Sequence, residues 1–101
     1  MYVSRLAFHT IPGRTGEVEK ELRQLRALVA AGGGRQTRIL RAHFASLGAP
    51  DLVFEQEATD LADLEHQLKG VTETPAFQEW SKRVSTLLAQ SPKREVYLVS
   101  E

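Results

Sequence analysis

The sequence has no cysteine, so disulfides, thiolate metal sites and cysteine nucleophiles are all excluded. It has no excess of either charge. Thirteen Lys+Arg balance thirteen Asp+Glu, which leaves no electrostatic footprint for nucleic acid or an anionic membrane. No apolar run approaches the length of a membrane span, and Met1-Tyr2-Val3-Ser4-Arg5 lacks the unbroken apolar stretch of a signal peptide. A cytoplasmic protein with no membrane and no nucleic-acid partner is therefore the expectation. The rest of the composition is ordinary: 42% hydrophobic and 26% charged among 101 residues, as in a folded chain rather than a disordered one. One domain over residues 1–101, built on one core, suits that length.

The chain is organised around its middle arc, residues 35–57, which reads as two strands joined at Leu47-Gly48-Ala49-Pro50. Before it, residues 2–11 mix aromatic, β-branched and small side chains and then meet the strand-breaking pair Pro12-Gly13, so they predict a first strand. Thr15 is placed to cap a helix with Glu17 and Glu19 in its first turns, and Val18, Leu22, Leu25 and Val29 make one helical stripe. Gly32-Gly33-Gly34 stops that helix. A phosphate cradle would need the glycines between a strand and a following helix, which is the reverse of the order here.

Strands over residues 37–46 and 51–57 make the hairpin. Asp60 then caps a helix with the stripe Leu61, Leu64 and Leu68, which is interrupted over residues 70–74. Thr74-Pro75 starts another helix, faced by Phe77, Trp80, Val84, Leu87 and Leu88, which Ser91-Pro92 ends. Residues 95–100 give the last strand. The order is strand, helix, strand, strand, helix pair, strand. This is the α+β ferredoxin-like arrangement βαββαβ, with helices on one face of a four-stranded antiparallel sheet.

Alternation sorts the strand residues into two faces. Leu6, Phe8, Leu40, Phe44, Leu52, Phe54, Val96 and Leu98 are assigned to the face under the helices. The other face takes Val3, Arg5, Ala7, His9, Ile39, Arg41, His43, Val53, Glu55, Tyr97 and Val99. A solvated sheet face should be polar throughout, but this one mixes Val, Ile and Tyr with charges. So short a chain has nothing left to cover it, and the cheapest cover is the same face of a second copy. A homodimer with its two sheets closed into a barrel follows.

With two such sheets face to face, the chain resembles the dimeric α+β barrel superfamily, including its antibiotic-biosynthesis monooxygenase-like, NIPSNAP-like and stress-responsive members. The resemblance covers nearly the whole chain. It is carried by the Pro12-Gly13 turn, by Val53-Phe54-Glu55 running on to Asp60-Leu61-Ala62-Asp63-Leu64-Glu65, and by the helix start Thr74-Pro75-Ala76-Phe77-Gln78-Glu79-Trp80. It implies a small-molecule-binding protein or a cofactor-independent enzyme of monooxygenase, cyclase or isomerase type. The implied ligand is a small aromatic or polyketide-like compound held between helices and sheet, and no cofactor is expected.

Two constellations bear on chemistry. The expected strand order gathers His9, His43 and Asp51 at one sheet edge, near Glu95. A carboxylate between two imidazoles could orient one as a general base, and a polar rim at the dimer edge is the plainer reading. Metal ligation by such residues depends on strand register, and no metal is assigned. Nearer the middle of the sheet Arg5 faces Glu55, with Arg41 one strand away and Tyr97 on the other side. That group could hold an anionic or phenolic ligand, or the Arg-Glu pair could satisfy itself and fix the dimer register. Phe8, Phe44, Phe54 and Trp80, with Phe77, are the expected apolar lining of a helix–sheet cleft, though aromatics at helical spacing also serve as plain core. A non-catalytic dimeric assembly module is the alternative function. RNA binding is disfavoured because Phe54 is assigned to the helix side and residues 51–57 are acidic.

Overall fold

The computed structural model of the protein describes residues 1–34 and 36–100. Arg35, where the middle arc begins, lies outside the described residues. Seven elements follow in order: β1 (Tyr2–Phe8), α1 (Thr15–Ala31), β2 (Thr37–Arg41), β3 (Leu52–Ala58), α2 (Leu61–Thr72), α3 (Pro75–Ser85) and β4 (Lys93–Leu98). The strands form one antiparallel sheet in the order β2-β3-β1-β4. The expected ferredoxin-like α+β architecture is what the chain adopts.

The helices form for the reasons read in the sequence, with two local differences. Val18, Leu22, Leu25 and Val29 are the buried stripe of α1. Thr15 does not cap it, however. It is the first helical residue, and its hydroxyl lies 2.8 Å from that of Thr10. Asp60 caps α2 by accepting from the Asp63 amide at 2.7 Å, and Thr74 caps α3 by accepting from the Phe77 amide at 3.2 Å. Gly70 does not interrupt α2 but lies inside it, at a close crossing with the end of α1. A Cβ on Gly70 would stand 2.4 Å from the Gly32 carbonyl oxygen, so only glycine permits the approach. α3 ends at Ser85, before Leu87 and Leu88, and those residues tie back to β1 through Ile11 and Thr10.

Between sheet and helices lies the core. Phe8, Leu52 and Phe54 from the strands meet Val18, Leu22, Leu25 and Val29 of α1, Val71 of α2, and Trp80 and Val84 of α3. The Trp80 indole N–H donates to the Glu21 carbonyl at 2.7 Å, so its polar end is satisfied as well.

Three strand expectations are corrected. β2 ends at Arg41 rather than continuing to residue 46. The last ladder bond runs from the Ala42 amide to the Asp51 carbonyl, and residues 43–50 form a loop turning at Gly48 (φ 87°). The two faces of β2 are also exchanged. Ile39 pairs with Phe54 and packs on the core, while Leu40 pairs with Val53 on the outer face. The physical reason is that Ile39-Leu40 are both apolar, so alternation within Thr37–Arg41 allows either register. β4, finally, has the expected faces but no helix over it. Val96 and Leu98 remain 44% and 64% exposed on the helix side.

Candidate functional site

Two places on the sheet gather polar side chains, one on each face. On the outer face Glu55 of β3 is buried although no element covers it, because two arginines close over its carboxylate. The Arg5 Nε donates to Glu55 Oε2 at 2.9 Å, and the Arg38 Nε donates to Oε1 at 3.0 Å. Burial alone would raise the Glu55 carboxyl. The hydrogen bonds and charges of Arg38 and Arg5 outweigh it and hold the group below the usual glutamate range. The Arg5 guanidinium also lies 5.7 Å from the centre of the Tyr97 ring. Tyr97 donates to Glu95 at 2.9 Å, and that bond raises the phenol above its ordinary value, so it serves here as a donor. Val3, Arg5, Arg38, Glu55, Tyr97 and Val99 help line a shallow hollow of about 390 Å3.

The expected Arg5–Glu55 pair is therefore present, with Tyr97 beside it. Arg41 is not part of it. The exchanged faces of β2 turn Arg41 to the helix side, where it donates to Glu19 at 3.2 Å, and Arg38 takes its place. Arg38 was legible only through the correct register.

The His9, His43 and Asp51 cluster is not assembled as expected. Asp51 Oδ2 accepts from the Thr10 amide at 2.8 Å and from the Thr10 hydroxyl at 3.2 Å, pinning the end of β1 to the start of β3. The His9 Nε2 stands 3.1 Å from the Gly48 carbonyl oxygen and its Nδ1 stands 3.0 Å from the Gln90 side-chain nitrogen. The pairing that satisfies both places the proton on Nε2. His43 is exposed on the loop, edge-to-face with Phe44 at 4.6 Å. No hydrogen bond joins Asp51 to either histidine among the described residues: His9 and Asp51 have other partners, and β2 stops before His43 can reach the sheet. Among those residues no group of three or more His, Asp or Glu could hold a metal ion. No described helix is long and apolar enough to cross a membrane.

The helix–sheet cleft is nearly full. Phe8 and Trp80 are core, and Phe44, expected in the lining, is 93% exposed on the loop after β2. Phe54 does line what remains, a space of about 20 Å3 bounded also by Leu6, Gln56, Leu68, Phe77 and Arg94. The surrounding polar groups are unusual for an inner face. Ser4, Gln56 and Gln67 are buried, and Gln56 donates to the Gln67 side-chain oxygen at 2.7 Å. Arg94 on β4 donates to the Ser4 hydroxyl. Arg94 lies outside the strand expected over residues 95–100, because β4 starts two residues earlier, at Lys93. Extended back two places from Val96, the same alternation puts an arginine on the apolar side.

No protein-family model matches the chain, and no curated protein matches it. Solved structures match over its whole length. A Bordetella bronchiseptica protein, provisionally assigned as an antibiotic biosynthesis monooxygenase, is 23% identical, with a TM-score of 0.70 over 99% of this chain and 97% of that one. A Nitrosomonas europaea protein with the same provisional assignment is 19% identical, with a TM-score of 0.67 over 98% of both chains. An uncharacterized NIPSNAP domain protein from Burkholderia xenovorans is 15% identical, with a TM-score of 0.74 over 99% of this chain and 95% of that one. At these identities it is the fold that is established: the chain shares the ferredoxin-like fold of the antibiotic-biosynthesis-monooxygenase-like and NIPSNAP proteins, which is the resemblance read from its residues.

Proposed function

We propose that the protein is a homodimer, its two sheets closed outer face to outer face into a barrel. Each protomer binds a small aromatic or polyketide-like compound between sheet and helices, as a binding protein or a cofactor-independent enzyme of monooxygenase type. The observation that carries the ligand site is the mixed lining of the cleft. Gln56 and Arg94 stand among Leu6, Phe54 and Phe77, where an inert core would be apolar throughout. The names given to the Bordetella and Nitrosomonas proteins support the choice of chemistry. Dimerisation is supported by Val3, Leu40, Val53 and Val99, which stay half-buried on a face with no cover of its own. Covering what is left of each is worth roughly 1 kcal/mol. In such a dimer the partner sheet would roof the hollow beside Arg5 and Tyr97, and the Arg5–Glu55–Arg38 group would help fix the register.

A space of about 20 Å3 is far below the roughly 300 Å3 at the small end of ligand sites. Binding therefore requires Leu68 and Phe77, at the α2–α3 corner, to swing aside. The same fullness favours the second reading, an assembly module whose only task is pairing. A thermal-shift panel of flat polycyclic phenols and quinones separates the two. The first reading expects at least one compound to raise Tm by several degrees. No shift with any compound, the dimer being intact, would leave only the second.

A further inference from the structure

Among the described residues the arginines are almost all matched. Arg5, Arg14, Arg23, Arg38, Arg41 and Arg83 each meet a carboxylate within 3.2 Å. Arg26, which has no ion pair among the described residues, is exposed on α1. Arg94 is different. As a residue it is exposed, because β4 is an edge strand, yet its side chain lies along the helix side of the sheet and helps line the cleft, and this partial burial lowers its pKa from the ordinary value. Among the described residues its one side-chain hydrogen bond goes to a neutral group, the hydroxyl of buried Ser4. Among the described residues it has no carboxylate partner.

A cation even partly shielded from water gains from a counterion, and this one lines the helix–sheet cleft with a hydroxyl beside it. Ser4 occupies one edge of the guanidinium fork, and a guanidinium has five N–H donors, so enough remain for a bidentate carboxylate. The surroundings suit the rest of an acid. Arg94, Val96 and Leu98 follow one another on the helix side of β4, and no helix packs on that strand. Successive side chains on one face are about 6–7 Å apart along the strand, so Val96 and Leu98 make an apolar shelf the length of two fused rings. Phe77, which helps line the cleft with Arg94, stands at the guanidinium end.

We infer that Arg94, steadied by Ser4, anchors the carboxylate of a small aromatic acid whose ring system lies along Val96 and Leu98 beside Phe77. This rests on the proposed small-molecule reading and narrows its ligand class to acids. The anchor is a binding residue, and no bond is made or broken at it.

The test uses the whole chain and two probes of the same shape, 2-naphthoate and the neutral 2-naphthamide. Affinities are measured by calorimetry, and the Arg94 Nε–H resonance is followed by NMR. The acid is expected to bind about 10- to 100-fold more tightly than the amide, as a charge-assisted fork contact allows, and to shift the Arg94 resonance. R94Q should erase that preference, and R94K should keep part of it. The acid–amide comparison in the unmodified chain stands even where a variant folds poorly. Equal binding of acid and amide, with both weakened by F77A, would overturn the anchor and leave the cleft reading standing. If neither probe binds at millimolar concentration, the anchor is overturned, and the cleft reading is decided separately by the panel of phenols and quinones.

Discussion

The two faces of this sheet are made from similar residues and finished differently. On the inner face, Phe8, Leu52 and Phe54 are sealed by three helices of the same chain, down to a residual space of about 20 Å3. On the outer face, Val3, Leu40, Val53 and Val99 are only half covered, and the buried group at the centre is a carboxylate enclosed by Arg5 and Arg38. One face is thus completed by folding. The other is left half open, and in the proposed dimer a second molecule would complete it, with the fixed charges suiting register more than bulk stability.

The largest expected effect separates the faces by stability. Trp80→Ala should cost about 3–5 kcal/mol in urea unfolding, whatever the protein concentration. An effect below 1 kcal/mol would mean that the helices seal the inner face far less tightly than described. Next comes β2, whose two faces differ by one residue. Ile39→Ala should lower stability by about 2 kcal/mol and leave the sedimenting mass unchanged. Leu40→Lys should do the reverse, leaving each protomer folded and dispersing the pair. If the two outcomes were exchanged, the register of β2 would be wrong.

Glu55→Gln should cost about 1–2 kcal/mol at neutral pH, a modest figure because both arginines can return to water. Its pH dependence follows from the lowered pKa of Glu55. The carboxylate's contribution is fully present above the unfolded glutamate value and is lost as pH falls through the lower folded value. The gap between the unmodified chain and Glu55→Gln should therefore close in acid. A gap that widens as the solution is acidified would contradict the assignment. The smallest effect belongs to the loop after β2, where Phe44→Ser should change stability by no more than about 0.5 kcal/mol.

Much of this was legible in the sequence. The stripe of α1, the Asp60 and Thr74 caps and the inner alternation of β1 and β3 are local patterns, and local patterns survive translation into structure. The homodimer was read from the outer alternation and is still a proposal. Three things depended on non-local pairing and were misplaced. The apolar pair Ile39-Leu40 carries no parity of its own, so only pairing with Phe54 and Val53 decides which one turns inward. Phe44 continued an apparent alternation past the point where the chain leaves the sheet. That departure also carried His43 away from the sheet edge where His9 and Asp51 lie, which only a longer β2 would have prevented. Arg94 could have been found by carrying the β4 pattern one residue further back.

The central claim is that the outer face is completed by a twin, and sedimentation equilibrium over a wide concentration range tests it most directly. A dimer closed on this face should show the mass of two chains at micromolar concentration, falling to that of one for Leu40→Lys. A mass of one chain at the highest concentration reached, with Leu40→Lys indistinguishable, would contradict it.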